Sequence, residues 1–322
     1  MQYSIRKAQK SKSKLRIGLS GPSGSGKTYS ALLLASGMTS FDKVVVIDTE
    51  NGSADLYDTL GDYSVITLEP PYSPENYIGA IKAAEEAGAE VIIIDSVTHE
   101  WDGIGGCLDS NEKLAQAKFK GNTWAAWSVT NTKHQRFIDH LVASKCHIIT
   151  TARSKQETVQ IDGKIKKVGT KEIQREGYEY ELTLNFNLDR EGHLAIASKD
   201  RTGLFIEADP FVISKETGET LLTWAEKGID PNVSTPGQVE LIEDLLERKG
   251  KSEDTILDYF GISKIAELSK HEAEATIKKL SQFEDLQDPP VTIADEIDFD
   301  EVDQAIEKQD KKPSKKYKET IQ

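Results

Sequence analysis

The sequence predicts an α/β fold in which a mostly parallel sheet is covered by helices on both faces. Short apolar runs recur along the first two-thirds of the chain, and helical patterns separate them. The runs place apolar residues on both faces, which is typical of strands in a mostly parallel sheet with helices on both sides. A glycine-rich loop also lies between the first run and the first helical pattern, as in phosphate-binding α/β proteins.

The first strand is predicted over 15–20 and the first helix over 29–35, on either side of that loop. Further buried strands are predicted over 44–47, 64–68, 91–94 and 146–151. Helices are predicted over about 75–87, 98–118 and 122–144. Residues 178–184 and 193–197 instead alternate polar and apolar types, so we expect them as antiparallel additions at one edge of the sheet.

The composition changes after residue 228, where the α/β domain of residues 1–228 is predicted to end. Residues 230–237 contain Pro, Gly and Ser, which indicates a linker over residues 229–236. Helical patterns over 236–249, 252–260 and 271–280 predict a small helical module over 237–282. Residues 283–322 are first acidic and then Lys-rich, with too little apolar surface to form a core, so we predict a disordered tail.

Charge and cysteine content narrow the class of protein. The formal net charge of −14 excludes a uniformly basic nucleic-acid surface, so any DNA contact must come from local basic patches. Two cysteines, Cys107 and Cys146, give no disulfide framework. With no apolar run of about 18 residues and no signal-like start, we expect no membrane partner and a cytoplasmic location.

The glycine-rich loop matches G-x-x-x-x-G-K-[ST], the phosphate-binding P-loop. Its backbone N–H groups and the helix start cradle an anion, Lys27 reaches the β- and γ-phosphates, and the Thr28 hydroxyl holds Mg²⁺. The pattern therefore predicts ATP and Mg²⁺ as cofactors. The residues predicted to bind the nucleotide are Gly21, Pro22, Ser23, Gly24, Ser25, Gly26, Lys27, Thr28 and Tyr29.

Carboxylates near the ends of two predicted strands are the candidates for positioning the metal and for activating water. Asp95 closes the apolar run 91–94, as does the residue that positions Mg²⁺ through water in P-loop enzymes. Ser96 follows it, where many P-loop ATPases have a glutamate that activates water. The base must then come from elsewhere, and Glu50 at the end of the second strand is the first candidate because ligands bind at the carboxyl ends of strands. Glu100 is the second candidate for the base. The alternative role for Glu50 is to cap a turn with Asn51-Gly52.

Together the P-loop, the segment Ile47-Asp48-Thr49-Glu50 and the strand Val91–Ser96 resemble the RecA-type recombinase core over about residues 10–228. The resemblance implies a RecA-like ATPase domain with Glu50 as catalytic base. More narrowly, the layout is similar to that of short phage-encoded RecA-like ATPases of single-strand annealing and recombination. If a phage encodes the chain, the resemblance implies a location in the host cytoplasm.

The same resemblance implies two further sets of site residues. RecA-like proteins place a polar γ-phosphate sensor at the end of the fifth strand, which here is Thr151 or Arg153. Lys199 and Arg201 resemble the K-x-R pair with which RecA-like hexameric helicases reach a neighbour's ATP. This implies a homo-oligomer with ATP at subunit interfaces. The alternative for the pair is a basic surface turn.

A basic hairpin is the candidate DNA contact. Asp162-Gly163 is a hairpin signal, and RecA-like proteins have a DNA-binding loop at this place in the chain. Its basic residues are Lys155, Lys164, Lys166, Lys167, Lys171 and Arg175. A second candidate phosphate-contacting patch is the N-terminal basic run of Arg6, Lys7, Lys10, Lys12, Lys14 and Arg16. The alternative is an edge hairpin with a solvated charged face.

The leading hypothesis is an ATP-hydrolysing RecA-like protein that acts on single-stranded DNA in phage recombination, annealing or replication. The alternative is an ATP-dependent switch that recruits partners without remodelling DNA. In either case the C-terminal region is a candidate docking site for a single-strand-binding or replication protein. A nucleotide or small-molecule kinase is a third possibility, although no Arg-rich lid segment is evident.

Overall fold

The computed structural model describes residues 8, 10–161, 164–228, 230 and 233–285, and their side chains except those of 156–170. These residues fall into two compact units. One is Ser13–Lys227. The other contains the described residues before Ser13 and those from Gly228 onward. The predicted acidic and Lys-rich tail lies outside the described residues from 286 onward.

Strands of the larger unit form one mixed sheet with the order β3-β2-β4-β5-β1-β7-β8-β9, and β6 pairs with β5. Its described strands are β1 Arg16–Gly21, β2 Val44–Asp48, β3 Ser64–Thr67, β4 Val91–Asp95, β5 His147–Ile161, β6 Lys164–Glu172, β7 Leu184–Leu188, β8 Leu194–Asp200 and β9 Phe211–Val212. Every pair from β3 to β7 is parallel, whereas the β7–β8, β8–β9 and β5–β6 pairs are antiparallel. The predicted α/β fold with a mostly parallel sheet and antiparallel edge strands is confirmed.

Helices cover both faces of this sheet because successive strand residues point to opposite sides. The helices of this unit are α1 Lys27–Met38, α2 Pro74–Glu86, α3 Thr98–Asp102, α4 Cys107–Lys118, α5 Thr123–Ala143 and α6 Lys215–Glu226. In β4, Val91 and Ile93 join one core with α1 and α6, while Ile92 and Ile94 join a second core with α2 and α5. Within the described residues, none of the helices is both long and apolar enough to cross a membrane.

Two predicted elements differ from the structure. The helix predicted over 98–118 is interrupted between α3 and α4 at a glycine-rich segment, where Gly105 has a φ of 77°. Residues Tyr178–Glu181 form a 3₁₀ turn instead of a strand. The strand that follows, β7, pairs parallel with β1 rather than antiparallel, and it is buried on both faces as an interior strand must be.

The smaller unit contains α7 Pro236–Lys249, α8 Asp254–Phe260 and α9 Lys270–Leu280. Thr235 with Gln238 caps the start of α7, and Ser269 with Glu272 caps the start of α9. The unit has its own apolar core, which comprises Ile242, Leu245, Leu246, Ile256, Ile265, Leu268, Ala273 and Leu280.

Candidate nucleotide-binding site

The carboxyl ends of β1, β2 and β4, together with the part of β5 beside them, bring the predicted site residues to one edge of the sheet, although β5 itself continues to Ile161. Asp48 is in register with Asp95, Asp95 with Thr151, and Gly21 with Arg153. Ligands bind at this edge in open α/β sheets. Four segments that are distant in sequence therefore meet where the P-loop ends.

The P-loop has the conformation of an anion cradle. Gly24 and Gly26 have φ values of 78° and 85°, a region that residues with a Cβ rarely adopt. Gly26 precedes α1, and no described side chain caps that helix start. Ser25 is fully buried, and its hydroxyl has no partner among the described residues. Uncapped N–H groups and an orphaned hydroxyl fit the oxygens of a phosphate group.

Lys27 is held at the mouth of this loop. Its Nζ donates to the carbonyl oxygens of Gly21 and Pro22, each at 3.0 Å. Burial lowers the pKa of Lys27, while attraction to Asp95 and Glu50 opposes that shift. Because these carbonyls are neutral acceptors, a phosphate oxygen would be a stronger partner for the ammonium group. Next along α1, Tyr29 is 42% exposed, with its ring 5.6 Å from that of Tyr57.

Asp95 lies between two hydroxyl groups. Thr28 Oγ1 donates to Asp95 Oδ2 at 2.6 Å, and Thr151 Oγ1 donates to Asp95 Oδ1. Burial raises the pKa of Asp95, and the two hydroxyl donors oppose that rise. Hydroxyl and carboxylate oxygens are the ligands that Mg²⁺ prefers, so Thr28 and Asp95 fit the predicted metal site.

The side chain of Glu50 is directed to the same edge. Ser96 Oγ donates to Glu50 Oε1 at 2.8 Å, Arg153 Nε donates to Oε1 at 3.0 Å, and Arg153 Nη2 pairs with Oε2. Burial by itself would raise the pKa of Glu50, but the Arg153 and Ser96 hydrogen bonds outweigh it and lower the pKa. The carboxylate therefore stays ionised near neutral pH, as acceptance of a hydrogen bond from water requires.

Asp48, not Glu50, holds the turn that follows β2. Asp48 Oδ1 accepts from the Glu50 N–H at 2.6 Å, and Oδ2 accepts from the Ala54 N–H at 3.2 Å. Since the turn has this partner, the capping role considered for Glu50 belongs to Asp48. Glu100 is a poorer base, because it has no exposed surface and its carboxylate bonds to His134 inside the core.

A family comparison agrees with this geometry. The family model described as AAA domain matches residues 13–202, which is more than half of the chain and includes all of the site described above. The chain belongs to the AAA domain family. This is a family of P-loop NTPases, so the P-loop prediction is confirmed. The narrower resemblance to phage recombination ATPases stays a prediction. No match was found among the curated proteins.

The two candidate γ-phosphate sensors of this AAA domain lie in different surroundings. Thr151 is fully buried and bound to Asp95, whereas the Arg153 side chain is 47% exposed and bound to Glu50. Thr151 is therefore placed to orient the metal carboxylate. Arg153 is the member of the pair that has both a positive charge and access to the edge where phosphate would bind.

Lys199 lies in β8 and Arg201 directly follows it. In the sheet, β7 separates β8 from β1, the strand that leads into the P-loop. Lys199 Nζ donates to the Glu179 carbonyl at 2.5 Å, and Arg201 Nη2 donates to the Tyr180 carbonyl at 2.7 Å. Burial lowers the pKa of Lys199, and repulsion from Arg201 adds to the shift. Both cations thus sit on one 3₁₀ turn of their own chain, and their action on a neighbour's nucleotide stays a prediction.

Three residues near the site were not found from the sequence. Ser96 orients Glu50, as described above. Arg190 and His193 lie beside the loop: a Cβ on Gly24 would be 3.8 Å from Arg190 Nε, and one on Gly26 would be 3.2 Å from His193 Nδ1. No local pattern marks them, because the turn between β7 and β8 comes near the P-loop only through the pairing of β7 with β1.

The two strands of the predicted basic hairpin pair with each other. β5 and β6 pair antiparallel with Ile161 opposite Lys164, while the side chains of Lys164, Lys166 and Lys167 lie outside those described. In the N-terminal run, Arg6 and Lys7 also lie outside the described residues.

Arg16 is not a surface cation, so its assignment to a phosphate-contacting patch was wrong. It is 4% exposed, and its guanidinium donates to the carbonyls of Leu15, Val142, Ser144 and Cys146. Burial lowers its pKa to about 10. The guanidinium thereby satisfies carbonyls at and beyond the end of α5, a structural role that sequence position alone did not reveal.

Proposed function

We propose that this AAA domain protein binds Mg²⁺ and ATP and hydrolyses ATP as a RecA-like ATPase that forms homo-oligomers and acts on single-stranded DNA. The observation that carries the ATPase part is the hydrogen bond of 2.6 Å between Thr28 and Asp95. It joins the P-loop to the carboxyl end of β4, on the edge where Lys27 and Glu50 also lie. A metal-binding oxygen pair, a phosphate-binding cation and an ionised carboxylate then share one site.

Each residue has a distinct role in this proposal. The P-loop N–H groups and Lys27 hold the phosphates, and Thr28 with Asp95 holds Mg²⁺, Asp95 through water. Bound Mg²⁺ supplies positive charge that offsets the charge of the phosphate oxygens. Glu50 accepts a hydrogen bond from the attacking water and orients it for in-line attack. Ser96 fixes the carboxylate of Glu50.

Arg153 is proposed to bind either the Glu50 carboxylate or the γ-phosphate of ATP. In this structure its guanidinium bonds to both oxygens of Glu50. A γ-phosphate is a competing partner for the same group, since guanidinium binds phosphate and carboxylate with similar bidentate geometry. ATP binding would thereby free the Glu50 carboxylate for water, which couples the presence of a γ-phosphate to activation of the base.

Arg201→Ala tests whether the K-x-R pair acts between subunits. We expect near-normal ATP binding and turnover lowered by at least about a hundredfold, because arginine fingers contribute roughly 10³-fold or more. Mixing this variant with Lys27→Ala subunits should restore part of the activity at hybrid interfaces that pair an intact P-loop with an intact arginine. Turnover is measured on mixtures whose co-assembly is verified by mass.

Arg136→Ala, which removes an exposed arginine of α5, is the matched control and should keep wild-type turnover. Mixtures that co-assemble but recover no activity would show that Lys199 and Arg201 serve their own chain. Equal melting temperatures of the variants exclude unfolding as the cause.

The DNA part of the proposal depends on the hairpin. Replacing Lys164, Lys166 and Lys167 with alanine should weaken single-strand binding and lower the slope of log affinity against log salt by about 2, at roughly 0.7 per lost phosphate contact. The measurement is fluorescence anisotropy of a labelled oligonucleotide over a salt series. Lys113, Lys118 and Lys120, all exposed, form a charge-matched control triple. An unchanged slope would indicate that these lysines do not contact DNA phosphates and that the hairpin only extends the edge of the sheet.

The second candidate is an ATP-dependent switch that recruits a partner, such as a single-strand-binding or replication protein, through the C-terminal region. The separate core of α7, α8 and α9 favours it, because that unit can present a surface of its own. ATP turnover with and without single-stranded DNA, with mass measured on the same sample, separates the two. DNA stimulation supports the recombination ATPase, and its absence supports the switch.

A further inference from the structure

A cluster of three metal-ligating side chains lies inside the larger unit, apart from the P-loop. Glu100 comes from α3, Cys107 is the first residue of α4, and His134 comes from α5. Glu100 and Cys107 have no exposed surface, and His134 is 2% exposed. None of the three has a part in the proposed ATPase chemistry, so the cluster needs its own explanation.

The three ligand atoms converge on one point. Cys107 Sγ lies 3.2 Å from Glu100 Oε1 and 3.9 Å from His134 Nδ1, and His134 Nδ1 lies 3.0 Å from Glu100 Oε1. The circle through these atoms has a radius of about 2.0 Å. An ion near its centre would lie within about 0.3 Å of the usual bond lengths for zinc, which are about 2.0–2.2 Å to nitrogen or oxygen and about 2.3 Å to sulfur.

We propose that Glu100, Cys107 and His134 form a zinc-binding site. A thiolate and an imidazole select a borderline-soft ion such as Zn²⁺ over Mg²⁺, in contrast to the hydroxyl and carboxylate oxygens at Thr28 and Asp95. One thiolate and one carboxylate also balance a divalent ion, so the assembly is neutral in a site whose three ligand residues are buried. Three protein ligands leave a fourth position of the tetrahedron for water.

The negative charge of the buried Glu100 carboxylate supports a cation at this site. Besides Cys107 and His134, the Glu100 carboxylate has the Gln174 amide at 3.5 Å, which is at the limit of a hydrogen bond. A buried carboxylate is costly without a cation. In this structure the Cys107 S–H donates to Glu100 Oε1 at 3.2 Å. Zinc binding would release that proton.

The ion would join three helices at a point where the chain turns sharply. Between α3 and α4 the chain passes through Gly103, Gly105 and Gly106, and this break returns Cys107 to Glu100. α3 begins directly after β4, which carries Asp95 at its end. Zinc would therefore stabilise the segment that follows the Mg²⁺ carboxylate, and its effect would appear first in the stability of the fold.

The test uses the full-length, tag-free protein, stripped with chelator and titrated with Co²⁺, which reports thiolate ligation through a charge-transfer band and visible absorption. We expect saturation at one Co²⁺ per chain and displacement by Zn²⁺. Cys107→Ser should lose the charge-transfer band, whereas Cys146→Ser, which changes the other buried cysteine, should keep it. The absence of a band in the wild type, or an equal band in Cys107→Ser, would overturn the site.

Two further readouts keep the result independent of how well a variant folds. Wild-type protein purified without chelator should contain close to one zinc per chain by elemental analysis, and added Zn²⁺ should raise the melting temperature of the stripped wild type but not of Cys107→Ser. The Trp101 ring lies 5.6 Å from that of His134, so tryptophan fluorescence should follow the same titration. Zinc-free protein whose melting temperature does not respond to Zn²⁺ would establish a purely hydrogen-bonded cluster.

Discussion

Lys27→Ala should abolish ATP turnover and weaken ATP binding by at least about a hundredfold, because it removes the ammonium group that faces the phosphates. In this structure Lys27 Nζ donates hydrogen bonds to the P-loop carbonyl oxygens of Gly21 and Pro22. Charge-assisted hydrogen bonds contribute about 1.5–3 kcal/mol each, so the loss of two accounts for an effect of this size. Binding is measured by calorimetry and turnover by phosphate release.

Lys43→Ala is the matched control for that variant. Lys43 precedes β2 at the opposite edge of the sheet, where it pairs with Glu90 on an exposed surface. Its loss should have little effect on stability, because exposed ion pairs contribute little, and should leave ATP binding unchanged. A Lys27→Ala protein that binds and hydrolyses ATP normally would contradict the assignment of the loop as the phosphate site.

Glu50→Gln should retain ATP binding and lower turnover by about 10²- to 10⁴-fold, the usual contribution of a positioned acid or base. The amide cannot replace the carboxylate in accepting the proton of the attacking water. Since the change also removes the negative charge that Arg153 pairs with, Arg153 is freed for phosphate, and ATP binding should be equal or tighter. The measurements are single-turnover hydrolysis and ATP affinity on the same preparation.

The control for Glu50→Gln is Asp55→Asn, which removes an exposed carboxylate from the 3₁₀ helix Ala54–Leu60 that follows the Glu50 turn. It should keep wild-type turnover. Wild-type turnover in Glu50→Gln would remove Glu50 from the base role and return Glu100 to consideration, despite its buried position. Loss of binding in Glu50→Gln would instead indicate that the carboxylate supports the shape of the site.

The sequence alone determined the parts of this protein that depend on neighbouring residues. The P-loop is a contiguous strand, loop and helix, and its glycines specify backbone angles that other residues rarely adopt, so the pattern predicts the conformation directly. Asp95 follows from the same reasoning, because a fully apolar strand that ends in a carboxylate is a local signal. Alternation of buried strands with helices likewise predicted the α/β class.

Only the tertiary structure decided which distant side chains meet. Glu50 is separated from Ser96 by 46 residues and from Arg153 by 103 residues, and the order of β2, β4 and β5 brings them together. The same long-range pairing made β7 a parallel interior strand and buried Arg16 against carbonyls 126 to 130 residues away. Local patterns specify the conformation of adjacent residues, whereas hydrogen-bond partners depend on strand order, and no local pattern encodes that order.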